Sequence, residues 1–221
     1  MWCLPEAANA EFVCAMEDVL DVYERPYDRT RPQICVDETS KQLVGEVRAP
    51  QPARRGTPRL FDHEYKRNGV ANLFMIVEPL TGACRVKITD QRTRADWAWL
   101  MQELVDVHYP QAQTIVLVTD NLNTHDKASL YAAFAPAEAK RIADRLEIHY
   151  TPRHGSWLDM AELQLSVLCR QCLNRRIKDR PTLQREVEAW LRHHQAKPID
   201  WQFTTEKARV KLKKLYPSFQ E

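Results

Sequence analysis

The feature that most constrains the fold is a short run of consecutive apolar residues, TIVLVTDN, at positions 114–121. It is too short for a membrane helix and lacks the alternation of a strand with one wet face, so it predicts a strand buried on both faces. Such a strand belongs to a sheet that helices cover on both sides. The apolar residues of this run are followed by the polar residues Asp120 and Asn121.

The flanking segments predict the rest of a mixed α/β sheet. QICVDETS at 33–40 predicts a second buried strand, and residues 69–90 predict two strands joined by a turn at Thr81 and Gly82. Residues 146–152 predict the last strand, and apolar residues at helical spacing predict helices at 7–24, 94–109, 127–135 and 137–145. We therefore expect an α/β fold with three antiparallel and two parallel strands and helices on both faces.

A chain of 221 residues with 44% hydrophobic content can bury one substantial core. The clearest break is RAPQPARRGTPR at 48–59, whose proline, glycine and arginine predict a basic loop. We expect a helical lead-in at 1–32, the main α/β domain at 33–196 and a basic helical tail at 197–221.

Composition bounds the location and the partners. No run approaches the roughly 18 apolar residues of a membrane helix, and the N-terminal segment carries acids where a signal peptide is basic and then apolar. We expect a cytoplasmic protein without a membrane partner. Reduced thiols are predicted for the six scattered cysteines, Cys3, Cys14, Cys35, Cys84, Cys169 and Cys172. Cys169 and Cys172 form a lone CxxC, without the second pair of a zinc site.

Charge is unevenly distributed although the net charge is only +2. Residues 169–214 hold 13 Lys and Arg against 5 Asp and Glu. A basic C-terminal third suits a polyanionic partner, although a solvated helical face has a similar composition.

Two aspartates follow predicted buried strands. Asp37 comes after ICV and Asp120 after TIVLVT, at the strand ends where sites gather in such sheets. A carboxylate beside apolar residues is costly unless it is paired or bound to a metal. One aspartate at a strand end can simply be the polar residue that ends the strand. Two such aspartates, with a third acid downstream, favour a functional site.

A third acid comes from WLDMAELQL at 157–165, where Asp159 and Glu162 stand three apart in a predicted helix. At about 100° per residue, Glu162 lies near the border of an apolar arc and Asp159 points further toward the opposite side. The geometry favours Glu162 as the inward acid, without deciding the matter. Leu163 and Val167 form a second apolar strip, which predicts another packing partner such as a second copy of the chain.

Three carboxylates from two strands and one helix suit a hard divalent cation, Mg²⁺ with Mn²⁺ as a substitute, and two such ions can catalyse phosphodiester displacement. A zinc hydrolase using His125 and His154 is the competing interpretation, although their spacing fits no HExxH helix. No GxxxxGK[ST] or GxGxxG nucleotide cradle is present.

Four ordered segments resemble the bacterial transposases of the insertion-sequence-630 group in the mariner superfamily. They are CVDETSKQL (35–43), VTDNLNTH (118–125), HYTPRHGSWLDMAELQLSVLCRQCLNRRI (149–177) and WQFTTEKARVKLKKLYP (201–217). The resemblance implies an RNase H-like fold and a DDE metal site of Asp37, Asp120 and Glu162. Asp159 is an extra candidate ligand of this chain's own, a fourth acid that could perturb metal binding or substitute for Glu162. Polar residues near that site would be Glu38, Asn121, His125 and His154.

The resemblance also implies an activity: metal-dependent cleavage that exposes a 3′ hydroxyl at the transposon end, then attack of that hydroxyl on target DNA, typically at TA. Residues 33–196 would be the catalytic domain. Candidate phosphate contacts are Arg54, Arg55, Arg59, Arg170, Arg175, Arg176 and Lys178. The alternatives are a catalytically silent DNA-binding or dimerisation module and a general RNase H-like nuclease.

The sequence departs from the group at three places. Asp159 stands where the group usually has Asn, and Gln164 stands where a second Glu is common. The helix-turn-helix domains that recognise transposon ends are not found ahead of the lead-in. We therefore expect the catalytic region alone, working on DNA, in a homodimer or with a separate chain that carries the recognition domain.

Overall fold

The structure is a computed structural model that describes residues 4–58, 60, 62–194 and 197–217. Its strands are β1 (Gln33–Glu46), β2 (Tyr65–Glu78), β3 (Ala83–Thr89), β4 (Ile115–Thr119) and β5 (Leu146–Tyr150). They form one sheet in the order β3-β2-β1-β4-β5. The first three are antiparallel, and β4 and β5 run parallel to β1. The predicted mixed sheet is therefore confirmed.

Seven α-helices are described, and they cover both faces of the sheet as predicted. They are α1 (Ala10–Tyr23), α2 (Arg94–Glu103), α3 (Ala128–Ala133), α4 (Pro136–Ala143), α5 (Met160–Leu168), α6 (Arg180–His193) and α7 (Thr205–Lys211). Helices α1, α5, α6 and α7 bury side chains against one face. Helices α2, α3 and α4 do so against the other.

Strand alternation separates the two cores. Cys35 of β1 packs into the core with α1 and α5, whereas Ile34 and Val36 pack into the core with α2. Val116 and Val118 of β4 face the first core in the same way. Because successive strand side chains point to opposite faces, an apolar run in β1 or β4 supplies both cores at once.

Several elements differ from their predicted bounds or continue in another helical form. β1 continues to Glu46 beyond the predicted end at 40, because β2 pairs with its polar second half, with a register shift between Gln42 and Val44. α2 ends at Glu103 and passes into a π-helical turn at Leu104–His108, and α5 passes into another at Cys169–Leu173. These turns keep apolar residues in contact with the core, so the apolar spacing runs past the end of the α-helix.

Helices α1 and α7 share the core of the sheet. Met16, Val19 and Leu20 of α1 are fully buried there. α7 attaches to α1 through a hydrogen bond from Thr205 Oγ1 to Asp21 Oδ1 at 2.7 Å and an ion pair of Arg209 with Glu17 at 2.8 Å. Packing contacts cross both predicted boundaries, at residues 32 and 196. The division into three parts therefore stays a prediction from the sequence.

The basic loop is irregular, with isolated bridges pairing Gln51 with Leu60 and Arg54 with Thr57. Arg59 lies outside the described residues, as does Cys3. The five described cysteines are free thiols, as predicted. Among the described helices, none has the length and apolar content needed to cross a membrane.

Replacing Leu20 by Ala tests whether α1 is part of the fold. Leu20 is fully buried against the sheet, so we expect the free energy of unfolding to fall by about 2–5 kcal/mol in urea denaturation. Val210→Ala on α7 is the matched control, because Val210 is 78% exposed and its truncation should change stability by no more than about 0.5 kcal/mol. Equal stability of the two variants would mean that α1 does not belong to the core.

Candidate active site

The register of two parallel strands brings the first two acids together. Val36 of β1 pairs with Thr119 of β4, so Asp37 and Asp120 occupy the next position on each chain. Alternation along β1 turns Asp37 to the side of Cys35, which is the side covered by α1 and α5. Both carboxylates therefore lie at the edge where β1 and β4 meet α5.

The connection from β5 to α5 holds the remaining acids against this edge. Thr151 N–H donates to the Thr119 carbonyl at 2.9 Å, and Gly155 N–H donates to the Pro152 carbonyl at 2.8 Å, which closes a tight turn. A Cβ at position 155 would stand 2.5 Å from Pro152 Cγ, so only glycine fits there. His154, next to it, adopts a left-handed φ of 65°.

The end of this connection is fixed by α1. Tyr23 is buried, and its hydroxyl donates to the Leu158 carbonyl at 2.6 Å. Leu158 directly precedes Asp159, so this long-range hydrogen bond sets where α5 begins. The pKa of Tyr23 is raised well above its usual value, chiefly by burial, which keeps the hydroxyl a donor.

Asp159 and Glu162 both line the cleft that holds Asp37 and Asp120. α5 begins at Met160, and Asp159 caps it through Oδ1, which accepts the Ala161 N–H at 2.8 Å. Asp159 is only 2% exposed, whereas Glu162 in the first turn is half-buried. The prediction that Asp159 points away is therefore wrong. Helical spacing does not apply to Asp159, because its backbone is extended.

The cleft has a volume of about 920 Å³. Its opposite wall is the start of α1, through Asn9, Glu11, Phe12 and Ala15, and its rim includes Tyr150 and the Pro152–Ser156 connection. Five of its described lining side chains are acidic, and the basic ones are Arg153 and His154. A DNA strand is itself anionic, so such a cleft needs cations before a strand can enter.

Burial raises the pKa of two of these carboxyls. The pKa of Asp37 rises to about 7 because of its burial, reinforced by the charges of Glu38, Asp120 and Glu162. The pKa of Asp159 lies well above its usual range, for burial first and then for its proximity to Asp37. Both shifts reflect negative charges brought together in a space with little water.

Asp120 behaves differently because a histidine stands behind it. Burial acts to raise its pKa, but the contact with His125 outweighs this and the net shift is downward. His125 Nδ1 lies 2.6 Å from Asp120 Oδ1, and Nε2 lies 3.1 Å from Glu38 Oε2, an ion-pair distance without hydrogen-bond alignment. Burial lowers the pKa of His125, yet the two carboxylates prevail and raise it to about 9.

His125 is therefore a buried cation between two carboxylates. It is 1% exposed and stacks on Trp97 with ring centroids 6.0 Å apart. Its backbone carbonyl accepts the Tyr150 hydroxyl at 2.8 Å, which ties the loop after β4 to β5. This arrangement holds Asp120 in place. It also leaves His125 unsuited to the zinc site considered from the sequence, because both ring nitrogens face carboxylates.

The donor set suits a divalent cation. Four of the five acidic side chains that line the cleft are Asp37, Asp120, Asp159 and Glu162, and Asp159 Oδ2 is buried with no hydrogen-bond partner among the described residues. Oxygen donors are what Mg²⁺ and Mn²⁺ prefer. As the side chains stand, no three His, Cys, Asp or Glu residues in the described part of the chain are arranged to hold one ion. The donor chemistry fits, and the carboxyls must converge for binding.

The other predicted polar residues divide between the cleft and elsewhere. Asn121 and His154 are exposed and line the cleft. Glu38 lies on the other face of the sheet, beside His125. Gln164 Oε1 instead contacts His194 Nε2 at 3.0 Å, which fastens α5 to the end of α6. The Gln at this position thus has a structural role.

The predicted phosphate contacts are dispersed. Arg54 and Arg55 are exposed and form no ion pair with another described residue, and Arg170 donates to the Ser166 carbonyl at 3.3 Å. Arg175 pairs with Glu186, and Arg176 pairs with Glu46. Lys178 is 3.8 Å from Asp179 at the surface. Of these seven predicted contacts, the six that the structure describes all lie outside the cleft.

Sequence reasoning missed Arg153. It lines the cleft, is exposed, and has no hydrogen bond or ion pair to any residue that the structure describes. The signal available was its place in TPRHGS between a strand end and the helix of the third acid. A count of charges along the chain does not register it, because Arg153 lies outside the basic segment 169–214.

Comparison with solved structures identifies the fold. The crystal structure of the Mos1 mariner paired-end complex with Mn matches 89% of this chain and 59% of that chain, with a TM-score of 0.58 and 13% identity. The Mos1 paired-end complex with Mg matches 99% and 66%, with a TM-score of 0.58 and 14% identity. This chain thus spans less than two thirds of those transposase chains.

The catalytic domain of Mos1 mariner transposase, crystallised separately, matches 96% of this chain and 92% of that domain, with a TM-score of 0.56 and 10% identity. At such identities the likeness establishes the fold, which is RNase H-like. A search of curated proteins by sequence finds no match. The sequence profile of the DDE superfamily endonucleases matches residues 32–184, more than half of the chain. The chain belongs to the DDE superfamily endonucleases.

Proposed function

We propose that this chain is the catalytic region of a transposase of the insertion-sequence-630 group, which cuts DNA at transposon ends and joins the ends to target DNA. The observation that carries the proposal is the meeting of Asp37, Asp120 and Glu162, from β1, the end of β4 and α5, in one cleft. Family membership and the likeness to Mos1 transposase structures support it.

Asp37, Asp120 and Glu162 would hold two divalent cations, Mg²⁺ or Mn²⁺. Bound there, the ions supply electrostatic stabilisation to the attacking and leaving oxygens of a phosphodiester. The Mos1 paired-end complexes were solved with Mn and with Mg, which supports this choice of metals. The remaining work of positioning falls to the protein.

His125 keeps one ligand in place through its contact with Asp120 Oδ1 at 2.6 Å. It also shares the charge balance of buried Glu38 with Arg92, whose guanidinium lies 3.7 Å from Glu38 Oε1. Asp120 is thereby presented as an ionised carboxylate, with its pKa below the usual value because the histidine contact outweighs burial. A ligand held ionised and oriented loses little freedom when a cation binds.

DNA is the proposed partner, and its path is set by charge. Arg153 projects at the rim of the acidic cleft, and we assign it to a phosphate of the strand being cut. Arg54, Arg55, Arg170 and Lys178 are exposed and would contact the duplex further away. Arg175 and Arg176 are weaker candidates, because each already pairs with a glutamate. Acting on DNA fits a cytoplasmic location in a bacterial cell.

Removing any one of the three acids should abolish metal-dependent DNA cleavage. We expect Asp37→Asn, Asp120→Asn and Glu162→Gln each to slow nicking of supercoiled plasmid in Mg²⁺ or Mn²⁺ by more than the roughly 100-fold that loss of an outer-shell partner costs. Matched controls are Asp126→Asn, in the same loop as Asp120, and Glu188→Gln on α6, both exposed. Cleavage that survives in Asp120→Asn would refute the assignment.

A silent DNA-binding module is the alternative function. It is favoured by the finding that, among the described side chains, no three stand ready to hold one ion. Salt-sensitive DNA binding by the wild-type chain, without cleavage of plasmid, transposon-end duplex or RNA:DNA hybrid in either metal, would support it. Cleavage of the hybrid alone would instead indicate a general RNase H-like nuclease.

Replacing Arg153 by Gln should weaken DNA binding. We expect lower affinity in fluorescence anisotropy in Ca²⁺, and a plot of log affinity against log salt whose slope falls by about 1, as loss of one phosphate contact requires. Arg185→Gln on α6 is the matched control, because Arg185 is exposed and lies outside the cleft. An unchanged slope for Arg153→Gln would remove Arg153 from the DNA path.

A second copy of the chain is the proposed partner for the apolar strip on α5. Leu163 is 49% exposed and Val167 is half-buried. We expect a dimer in light scattering coupled to size exclusion, at least on DNA, and its loss in Leu163→Lys. A wild-type monomer both with and without DNA would contradict this. A separate chain carrying the recognition domain would then be the remaining way to pair two DNA ends.

A further inference from the structure

Asp159 is an N-cap that has more charge than a cap requires. Its Oδ1 accepts the Ala161 N–H at 2.8 Å, which satisfies one of the free backbone donors at the start of α5. Asn and Ser cap helices about as well as Asp. Capping therefore explains one oxygen of this side chain and leaves the second oxygen, together with the charge, without a role.

The second oxygen is buried and unpartnered. Asp159 is 2% exposed, and Oδ2 has no hydrogen-bond partner among the described residues. The hydroxyl of Tyr23, which is close enough for Asp159 to act on its pKa, is donated to the Leu158 carbonyl instead. A buried carboxylate oxygen without a donor is costly, and such groups are normally paired, protonated or bound to a metal.

The surroundings of Asp159 add negative charge and supply no balancing cation. Its electrostatic neighbours are Asp37, Asp120 and Glu162, which are the three acids of the proposed metal site. His125 pairs with Asp120 and Glu38, and Arg92 lies 3.7 Å from Glu38, so neither forms an ion pair with Asp159. Arg153 lies at the rim of the cleft and makes no ion pair with any described residue. A bound divalent cation would balance these carboxyls in their ionised form.

We propose that Asp159 is a fourth carboxylate ligand of the divalent cations in this cleft. The inference rests on the proposed metal-dependent function, and it assigns to Asp159 a role beyond the three acids that carry that function. One carboxylate then does two things: Oδ1 fixes the start of α5, and Oδ2 turns to the cation. More carboxylate ligands give tighter binding of hard cations, so this site should bind Mg²⁺ and Mn²⁺ more tightly than three acids allow.

Mn²⁺ binding by the full chain, followed by electron paramagnetic resonance and calorimetry, tests the inference apart from activity. Asp159→Asn keeps the cap and the side-chain volume but removes the charge. We expect its Mn²⁺ affinity to fall by about 10–100-fold or more, the range known for loss of even an outer-shell partner. We also expect its melting temperature without metal to equal or exceed that of the wild type, and the rise caused by Mn²⁺ to shrink.

Asp179→Asn is the matched control, because Asp179 caps α6 in the same manner, through the Thr182 N–H at 2.8 Å, and lies outside the cleft. Asp159→Ser provides a second variant that keeps a capping oxygen, should Asp159→Asn not fold. Both Asp159 variants should lose affinity, and Asp179→Asn should not.

Two outcomes would overturn the inference, and they differ in what else they affect. If the Asp159 variants bind Mn²⁺ as the wild type does while Glu162→Gln loses it, Asp159 is a cap alone and the proposed function stands. If the wild-type chain binds no Mn²⁺ and cuts no DNA, the fourth ligand and the metal-dependent function fail together.

Discussion

The candidate site depends on the parallel pairing of β1 with β4. Val36 opposite Thr119 fixes the register, and a shift of one residue would turn Asp37 from the α5 side to the α2 side of the sheet. The same pairing continues to β5, where Thr119 stands opposite Tyr150. Because β5 leads directly into the connection before α5, this ladder of backbone hydrogen bonds sets where Asp37 and Asp120 lie and where the connection to Asp159 and Glu162 begins.

Neighbouring acids on β1 have opposite fates because a strand alternates. Asp37 turns to the cleft, and Glu38 turns to the other face, where His125 offsets its charge. His125, with Arg92 beside Glu38, thus balances Glu38 and Asp120, whereas Asp37 and Asp159 form no ion pair with any described residue. The consequence is visible in the pKa values: burial raises those of Asp37 and Asp159, while the histidine lowers that of Asp120. The uneven balance concentrates uncompensated negative charge where cations are proposed to bind.

The sequence was informative where the determinants are local. An apolar run followed by an acid was enough to predict both strand ends with Asp37 and Asp120, and the order of elements predicted the mixed sheet. It failed for Asp159, because the start of α5 is decided by the Tyr23 contact with Leu158 and by the tight fit of Gly155 on Pro152. The ion pairs that join residues far apart in the sequence could not be predicted either. A charge count cannot tell that Arg175 and Arg176 have glutamate partners or that Arg153 has none among the described residues.

The terminal helices belong to the site as much as to the core. Asn9, Glu11 and Phe12 form one wall of the cleft, and Tyr23 at the other end of α1 holds the connection before α5. α1 is in turn held by α7, and Asn9 N–H donates to the Leu215 carbonyl at 2.9 Å, so this wall depends on the C-terminal segment. Residues 33–196 taken alone would keep the three acids and lose the wall opposite them, together with the hydrogen bond that positions Asp159. The smallest unit that retains the site therefore depends on these contacts across residues 32 and 196.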